Sequence, residues 1–512
     1  MLDIIGGFET LFSNPSALGF VFLASFVGIV VGALPGLTAS AAIAMLLPLS
    51  FHLGPLSALA FLYVIGKSGR YGGSIAAILF NTPGTAASAA TMQDGYPMTQ
   101  QGKAGKALKT ATLASIVGDY IGEIILIFGA VSIAVYTSRF GPAEYFAIYF
   151  MAFVVIGSVV GKSVVKGILS TLLGAIVGLI GLDTITAEPR MTMGIGELED
   201  GLALVPLLIG VFVISEIIVQ AERAAKQGLE ESYKNRSDDP DDNRMTWDEF
   251  KRCIPLMFRS SLVGSFIGMM PGLGSSVACF VAYGEEKRRS KIADKWGTGI
   301  VEGIAAPESA NNAVSGPSMI PLLTLGVPGS TVAAILIGVF LIHGIQVGPT
   351  LFTNPDSREL IFALFACGLL GIASYGIIGY FGGPAIGRII AYMPARLIYP
   401  FIFLTAIAAS YSSRASILDI FIALLFGVVG YIMRRTDFST AAFVIAFVLI
   451  EGAEEAFRQS LLLSNDGLLI FVKEPVSLAF LLLGAGVLVF RSISVLRAGK
   501  KSETTTETAT SS

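Results

Sequence analysis

Residues 16–51 have the sequence SALGFVFLASFVGIVVGALPGLTASAAIAMLLPLSF, an apolar run that is interrupted at Pro35 and Gly36. The run is longer than the roughly 20 residues that a helix needs to cross a bilayer. It carries no charge, and neither the residues before it nor residues 52–55 after it contain Lys or Arg. Lys and Arg mark cytoplasmic loops. We therefore expect a re-entrant hairpin that enters from outside and turns at the Pro-Gly pair.

The whole chain shares this apolar character. Of its 512 residues, 54% are apolar and 14% are charged, against roughly 25% charged in an ordinary soluble domain. Apolar runs recur from residue 16 to residue 490. The composition predicts an all-α polytopic membrane protein, because helices satisfy their own backbone hydrogen bonds within lipid. The first run has no basic residue ahead of it, so we expect it to be retained rather than cleaved as a signal peptide.

Several function classes are poorly compatible with this sequence. The net charge is −3, and the basic residues stand in short clusters, which argues against nucleic-acid binding. The three cysteines and two histidines have no metal-site spacing, so neither disulfides nor structural zinc are expected: Cys253, Cys279, Cys367, His52 and His343. The sequence has no HExxH or GxSxG motif, and its two GKS triplets lack the upstream glycine of a phosphate-binding loop. We expect neither an enzyme nor a cofactor, beyond a coupling Na⁺ or H⁺.

Charge places the loops on two sides of the membrane. The basic segments are predicted to be cytoplasmic: 92–109, 221–252, 284–298 and the C-terminal tail. The acidic or neutral segments are predicted to lie outside: the N-terminus, 183–201, 343–357 and 451–474. Four crossings between them agree with this assignment: 110–136, 142–161, 164–182 and 202–220. The N-terminus is therefore expected outside and the C-terminus in the cytoplasm.

A second apolar run, residues 256–283, is broken in the same way at Pro271 and Gly272, but basic loops flank it on both sides. We expect a hairpin that enters from the cytoplasm. Two further Pro-Gly pairs follow the hairpins in the same order: Pro83 with Gly84, and Pro328 with Gly329. Corresponding loops carry opposite charge, so the pattern predicts two inverted-topology repeats, with substrate and ion sites at the broken helices. A single Pro-Gly pair is also a common kink.

This symmetry gives a domain plan of a secondary-transporter, elevator-like architecture. The first repeat, 1–220, contains the hairpin 16–51, a broken helix 55–91 and helices 110–220. A cytoplasmic linker, 221–255, precedes the second repeat. The second repeat, 256–490, contains the hairpin 256–283, a broken helix 299–342 and helices 357–490, and a disordered cytoplasmic tail, 491–512, follows it.

Small polar residues cluster around the four breaks and form the predicted substrate site. Hydroxyls and amides beside freed backbone N–H groups suit an anion, and freed carbonyls suit Na⁺. The same hydroxyls could instead satisfy the backbone that each proline opens. With the Pro-Gly pairs themselves, the site residues are Pro35, Gly36, Thr38, Ser40, Asn81, Thr82, Pro83, Gly84, Thr85, Pro271, Gly272, Ser275, Ser276, Asn311, Asn312, Pro328, Gly329, Ser330 and Thr331.

Charged residues within the apolar runs are further candidates. Glu308 could bind a cation, carry a coupling proton or accept structural hydrogen bonds. Lys67 and Arg70 could attract a carboxylate substrate or snorkel to the membrane interface. Asp119 and Glu123 are interpreted as packing or interface contacts.

Seven stretches resemble the large membrane subunit of the tripartite tricarboxylate transporter family: GALPGLTAS, YGGSIAAILFNTPGTAASAATMQDGYPMTQQGKAGKAL, PGLGSS, GIAAPESANNA, IPLLTLGVPGS, LIHGIQVGP and EEAFRQSLLLSNDG. The resemblance runs over nearly the whole chain. It implies a bacterial inner-membrane permease that imports carboxylates with an ion gradient. It also implies two partners, a small membrane subunit and a periplasmic solute-binding protein. On this resemblance the Pro-Gly regions and residues 308–312 take a transport role.

We therefore expect ion-gradient-coupled (Na⁺ or H⁺) import of a small carboxylate or tricarboxylate. The alternative from another class is a passive anion channel or a membrane receptor scaffold. Polar residues concentrate at the breaks instead of forming a stripe along whole helices, which favours the transporter. A homodimer is compatible with this architecture, and nothing in the sequence requires it.

Overall fold

The computed structural model describes residues 2–34, 36–159, 163–183, 185–226, 239–392 and 395–510, which are almost entirely helical. The helices are α1 (Leu2–Phe12), α2 (Pro15–Ala33), α3 (Ala39–Leu46), α4 (Pro55–Phe80), α5 (Ser88–Gln100), α6 (Ala104–Thr137), α7 (Pro142–Val159), α8 (Val164–Gly178), α9 (Leu204–Leu208), α10 (Ser215–Lys226), α11 (Trp247–Met269), α12 (Gly274–Arg289), α13 (Val301–Ala313), α14 (Ile320–Leu325), α15 (Thr331–Ile342), α16 (Thr350–Thr353), α17 (Pro355–Tyr392), α18 (Ala395–Arg414), α19 (Ile417–Arg435), α20 (Thr440–Leu463), α21 (Ile470–Lys473) and α22 (Pro475–Thr510).

Short segments connect these helices. One antiparallel strand pair, β1 (Gly181–Leu182) and β2 (Pro189–Arg190), places Gly181 opposite Arg190. A π-helical stretch, Ile209–Ile214, joins α9 to α10. The 3₁₀ turns are Leu47–His52, Gly196–Leu198, Pro240–Asp242, Ala293–Lys295, Pro317–Met319 and Gly467–Leu469.

The described helices include six that are long and apolar enough to cross a membrane. They are Pro15–Ala33, Ala104–Thr137, Pro142–Val159, Leu204–Glu222, Pro355–Ile390 and Ile417–Arg435. A bent pair, Gly467–Lys473 with Pro475–Arg491, would be a seventh span. The prediction of an all-α polytopic membrane protein is confirmed. Helix α2 is long enough to cross by itself, so the first re-entrant hairpin stays a prediction. The second hairpin also stays a prediction.

Side-chain caps explain where several helices begin. Thr38 accepts the Ala41 N–H at 3.1 Å to start α3. Thr246 and Glu249 form a reciprocal capping box at the start of α11, which therefore begins at Trp247. The last residues of the predicted linker 221–255 therefore belong to α11. The other end of the linker includes residues 227–238, which lie outside the described part of the chain.

The same order of elements occurs twice around the breaks. The helices α2 and α3 flank the first break, and α4 and α5 flank the second. In the second half, α11 and α12 flank a break, and α14 and α15 flank the next. The structure has one more interruption that was not predicted from the sequence. It lies at residues 314–316, between the end of α13 and the 3₁₀ turn that begins at Pro317. The opposite orientation of the two copies stays a prediction.

The chain divides into two compact units that differ from the two predicted repeats. The first unit comprises residues 1–138 and 203–431, and the second comprises residues 139–202 and 432–512. Each unit takes segments from both predicted repeats, so neither 1–220 nor 256–490 is a compact body by itself. Repeat boundaries describe a sequence pattern, whereas compactness follows from which helices pack together.

Helix α4 is the centre of the first unit. Nearly all of its residues from Leu56 to Leu79 are buried. Glycines let α2 approach it closely, since a Cβ at Gly32 would lie 2.3 Å from the backbone oxygen of Gly69. This packing buries the middle of α4, where its polar side chains stand.

The second unit packs α8 against α20 in the same manner, because a Cβ at Gly174 would lie 2.0 Å from the backbone oxygen of Phe443. Its last helix, α22, continues to Thr510. Residues 491–510 are thus part of this helix, where the sequence predicted a disordered tail over 491–512.

Candidate functional site

The first break shows a tight turn followed by a helix start. Gly36 has a φ of +84°, a backbone conformation that favours glycine. A Cβ there would also lie 2.1 Å from the Gln220 side-chain nitrogen. Thr38 caps α3, and Ser40 is half-buried on its first turn. Pro35 lies outside the described residues.

The second break is held by local hydrogen bonds. Asn81 ends α4 in the left-handed conformation, with φ 53°, and its side chain is exposed. Thr82 donates to the Phe80 carbonyl at 3.0 Å. Thr85 and Ser88 bond each other's backbone at the start of α5. The hydroxyls of Thr82, Thr85 and Ser88 thus bond to backbone groups at the break, which is the alternative to substrate binding. They flank Pro83 and the buried Gly84.

The two breaks of the second half contact each other. The Gly272 N–H donates to the Gly329 carbonyl at 3.4 Å. Ser330 caps α15 through the Ala333 N–H and also lies 3.3 Å from the Ser318 hydroxyl. The structure thus brings both Pro-Gly pairs together, Pro271 with Gly272 and Pro328 with Gly329, while Thr331 begins α15 beside them.

Breaks from different halves also meet in the first unit. Ala87 and Ala90, at the start of α5, form one buried cluster with Cys279 on α12. A Cβ at Gly66 of α4 would lie 3.1 Å from Val332 and 3.3 Å from Ile43. The centre of α4 therefore lies against the helices that follow the first and the fourth break, α3 and α15.

Glu308 is fully buried on α13 and is bound by hydroxyls. Ser74 on α4 and Thr91 on α5 donate to Oε1, the Ser74 contact measuring 2.6 Å, and Ser115 on α6 donates to Oε2 at 3.2 Å. No Lys or Arg forms an ion pair with it among the described residues. Helices from both halves therefore provide its ligands.

Asn312 stands one turn after Glu308 and belongs to the same pocket. Its amide nitrogen donates to the Ser115 hydroxyl at 2.8 Å and to the Glu308 carbonyl at 3.1 Å. Its amide oxygen is buried and has no hydrogen-bond partner in the described part of the chain. Asn311 is buried beside it. The pocket thus combines a carboxylate, hydroxyls and a free amide oxygen.

Lys67 lies in a fully buried group with Asp119 and Glu123, which we call the ion triad. Its Nζ is 2.6 Å from Asp119 Oδ1 and 2.8 Å from Glu123 Oε2, and all three side chains are 0% exposed. The snorkelling interpretation of Lys67 is wrong, because α2, α6 and α17 cover α4. Asp119 and Glu123, interpreted from the sequence as packing or interface contacts, are buried counter-ions of Lys67.

Arg70 stands one turn after Lys67 on α4 and is partly exposed. It forms neither a hydrogen bond nor an ion pair with any described residue, and its Nε is buried without a partner. Its charge interacts with Asp119 and with Cys279 on α12. Ser275 and Ser276 stand one turn before Cys279, half-buried at the start of α12, where no side chain caps the described helix.

Sequence reasoning missed most of the groups that complete the site. Tyr63 donates to Glu123 Oε2 at 2.8 Å, and Tyr375 donates to Asp119 Oδ2 at 3.2 Å. One signal was available: Thr112, Ser115, Asp119 and Glu123 recur at helical spacing, which predicts one polar face on α6. Asp94 gave no such signal, although it is buried and accepts backbone N–H groups from Gly297, Gly299 and Ile300.

The described residues contain no cluster of three or more His, Cys, Asp or Glu side chains that could hold a metal ion. The apolar spans and the buried polar centre define a multi-pass membrane protein with a polar site inside one compact unit. Membrane proteins with this combination include carriers of small polar solutes.

The comparisons identify the family. A model of the tripartite tricarboxylate transporter TctA family matches residues 18–445, so the chain belongs to that family. It is 33% identical over 505 residues to the "Uncharacterized 52.8 kDa protein in TAR-I ttuC' 3'region" of Agrobacterium vitis, which covers 97% of this chain and 98% of that protein. It is also 33% identical over 236 residues, 46% of this chain and 96% of the relative, to the "Uncharacterized protein in TAR-II ttuC' 3'region" of the same organism. No solved structure matches. Family membership implies a transporter subunit rather than an enzyme.

Proposed function

We propose that this chain is the permease of a binding-protein-dependent system that imports a small carboxylate, with tricarboxylates as the first candidates, driven by an Na⁺ or H⁺ gradient. It would work in the bacterial inner membrane with its N-terminus outside and its C-terminus in the cytoplasm. Family membership supports the transport class. The observation that carries the substrate class is Arg70, a cation among buried helices that has no anionic ligand within ion-pair distance among the described residues.

A carboxylate beside Arg70 would complete its unmet hydrogen bonds. Guanidinium groups bind carboxylates through two parallel N–H donors. Ser275 and Ser276 add hydroxyls, and the uncapped start of α12 adds backbone N–H groups with a positive dipole end. Lys67 is already paired with Asp119 and Glu123. Arg70 is therefore the better substrate ligand of the two cations.

Ion coupling follows from the charge of the substrate. An inside-negative membrane potential opposes entry of an anion by about 2.3 kcal/mol per charge at 100 mV. A tricarboxylate therefore needs more than one accompanying cation to accumulate. We assign one cation to the pocket of Glu308, because its carboxylate, hydroxyls and free Asn312 oxygen are the hard oxygen ligands that Na⁺ accepts.

The system would include two further proteins, a small membrane subunit and a periplasmic solute-binding protein. The binding protein would select the substrate outside the membrane, and the membrane site would transport what the binding protein delivers. A homodimer would suit a carrier whose moving part needs a fixed scaffold.

Uptake of labelled citrate into proteoliposomes containing all three proteins tests the proposal. We expect Arg70→Gln to reduce uptake at least about tenfold, the equivalent of ~1.4 kcal/mol or more of lost substrate interaction. Arg289→Gln is the matched control, because Arg289 is an exposed partner of Glu285 in the same unit. Uptake that is equal with and without Na⁺ and proton gradients would remove ion coupling from the proposal.

The break residues allow a second comparison. Asn312→Ala should abolish uptake while the folded chain remains in the membrane. Asn81 needs a different substitution, because alanine would be strained at its φ of 53°. Asn81→Gly removes the side chain and keeps the backbone, so unchanged uptake in this variant would exclude Asn81 from the site.

The alternative is a passive anion channel or a receptor scaffold. A channel would give flux that does not saturate and does not require the binding protein. A scaffold would give no flux. Saturable, binding-protein-dependent accumulation is the result that only the permease predicts.

A further inference from the structure

The ion triad contains more negative than positive charge. Within ion-pair distance of Lys67 stand two carboxylates, Asp119 at 2.6 Å and Glu123 at 2.8 Å. All three side chains are fully buried, where an uncompensated charge is costly. One positive and two negative charges leave one negative charge that Lys67 does not neutralise.

One oxygen atom of the triad is also unused. Glu123 Oε2 accepts hydrogen bonds from Lys67 and from the Tyr63 hydroxyl. Glu123 Oε1 is buried and has no partner among the residues that the structure describes. It lies against the backbone of α17, where a Cβ at Gly368 would come within 2.1 Å of it. A buried carboxylate oxygen without a donor is an available proton acceptor.

Of the four carboxylate oxygens of the ion triad, Glu123 Oε1 is the one that accepts no hydrogen bond from the described residues. Asp119 already accepts bonds from Lys67 and from Tyr375. Other groups interact electrostatically with one or both carboxylates. Tyr63 interacts with both, Cys367 on α17 with Glu123, and the remaining three with Asp119: Arg70 on α4, Tyr120 on α6 and Tyr375 on α17. Of these, Arg70 is the one whose charge a bound substrate carboxylate would cancel. While Arg70 is free, its positive charge offsets the excess negative charge of the triad from beyond ion-pair distance.

We propose that Glu123 Oε1 binds a proton, and that Arg70 links this proton to the binding of a carboxylate substrate. The proposal rests on the proposed function and adds the position of a transported proton. One proton forms an O–H bond at Oε1 when it binds, which brings Lys67, Asp119 and Glu123 to zero net charge. Release breaks the same bond, and no other covalent bond changes.

Linkage gives the coupling its direction. Arg70 interacts with Asp119, which in turn repels the ionised carboxylate of Glu123. A substrate carboxylate that cancels the Arg70 charge leaves the ion triad more negative, so the proton at Glu123 binds more tightly. By reciprocity, a protonated Glu123 strengthens substrate binding by the same factor. Substrate and proton therefore load together and leave together, as symport requires. With Na⁺ at Glu308, the network provides two sites for accompanying cations.

A titration without substrate tests the proton site directly. The infrared absorption of protonated carboxyl groups is followed against pH in the purified chain. We expect a titrating band that Glu123→Gln removes and that Glu286→Gln retains. Glu286 is the matched control, because it is buried in the same unit but paired one to one with Arg259. If wild type and Glu123→Gln give the same carboxyl absorption at every pH, the proposal is overturned.

The link to Arg70 is tested by the same band. Arg70→Gln imitates cancellation of the guanidinium charge, so a larger share of the band should persist at each pH, whereas Arg289→Gln should leave it unchanged. If Arg70→Gln leaves the band unchanged at every pH, the link between Arg70 and the proton at Glu123 is overturned. If Glu123→Gln does not fold, Gly368→Ala crowds Oε1 from α17 and should alter the band while the carboxyl group is retained.

Transport separates this inference from the proposed function. In proteoliposomes of the whole system, Glu123→Gln should lose accumulation of labelled citrate driven by a pH gradient, by about tenfold or more, while citrate–citrate exchange continues. Wild-type uptake that ignores the pH gradient would overturn the proton's role and leave carboxylate import standing. A wild-type system that neither accumulates nor exchanges carboxylates would contradict the proposed function, and the infrared titration would still decide the proton site.

Discussion

Glu308 is held by hydroxyl donors from three helices, and this decides what its substitution should do. Ser74, Thr91 and Ser115 all direct O–H groups at its carboxylate. In Glu308→Gln, the amide nitrogen is itself a donor, so at least one of these hydroxyls loses its acceptor. We expect the free energy of unfolding to fall by about 1–3 kcal/mol, the usual effect of an unsatisfied buried polar group.

The same substitution tests Na⁺ binding without transport. A ligand that binds only the folded chain raises the melting temperature as its concentration rises. We expect NaCl to stabilise the wild type more than choline chloride does, and Glu308→Gln to lose that difference. Glu302→Gln, on the same helix but outside the pocket, should keep it. An equal response to Na⁺ in wild type and Glu308→Gln would exclude Glu308 as the Na⁺ ligand.

At the scale of elements, Asp94 fixes the start of the helix that carries Glu308. Its carboxylate on α5 accepts the N–H groups of Gly297, Gly299 and Ile300 just before α13, at 2.9–3.1 Å. The Tyr283 hydroxyl donates to it at 2.8 Å. An anion at a helix N-terminus is favoured by the dipole and by unpaired N–H groups. Asp94 therefore replaces the local cap that α13 lacks among its described neighbours.

Substituting Asp94 should loosen α13 at its start. We expect Asp94→Asn to lower the free energy of unfolding by about 1–3 kcal/mol, because one acceptor becomes a donor that faces N–H groups. Hydrogen exchange should quicken at residues 297–301. Gly303→Ala should also quicken hydrogen exchange at these residues, because the added Cβ would lie 2.0 Å from Asp94 Oδ2 and displace the carboxylate. Unchanged exchange in both variants would show that Asp94 does not hold the helix start.

The elements show how far the sequence could predict the site. Apolar length and the Pro-Gly pairs predicted the breaks, because proline and glycine act through local backbone geometry. Pairing across helices depends on packing, so Lys67 could not be matched with Asp119 and Glu123 from sequence position alone. The helical spacing of Ser115, Asp119 and Glu123 was a signal of a polar face that the sequence analysis did not use, and it leaves the partners of that face unknown.

For the molecule as a whole, the sequence predicted the all-α membrane class, but it did not predict the compact units. The predicted repeats divide the chain at residues 221–255, while the first unit joins residues 1–138 with 203–431. Charge bias in loops reports sidedness, which is a property of single crossings. Compact units depend on side-chain packing between distant segments, such as the close approach of Gly118 on α6 to Ser309 on α13.

The second unit carries a separate charge network, which should make its stability depend on pH. Arg458 donates two hydrogen bonds to Asp183, at 2.9 and 2.8 Å, and the Ile185 and Thr186 N–H groups donate to the same carboxylate. These donors, led by Arg458, hold the pKa of Asp183 below its ordinary value of about 3.9. A lowered pKa in the folded state means that the ionised carboxylate stabilises the fold above about pH 4, and that this stabilisation is lost as pH falls toward the lowered pKa.

We therefore expect the melting temperature of the wild-type chain to fall as the pH drops below about 4, the ordinary pKa of Asp, and to keep falling as the pH approaches the lowered pKa of Asp183. Asp183→Asn should melt lower at neutral pH, because Arg458 and the loop N–H groups lose their anionic acceptor, and its melting temperature should change less with acid. Asp200→Asn, an exposed carboxylate in the same connecting segment, should keep the wild-type acid dependence. Parallel melting curves for wild type and Asp183→Asn across this range would show that the Arg458 contact contributes nothing to the acid stability of the molecule.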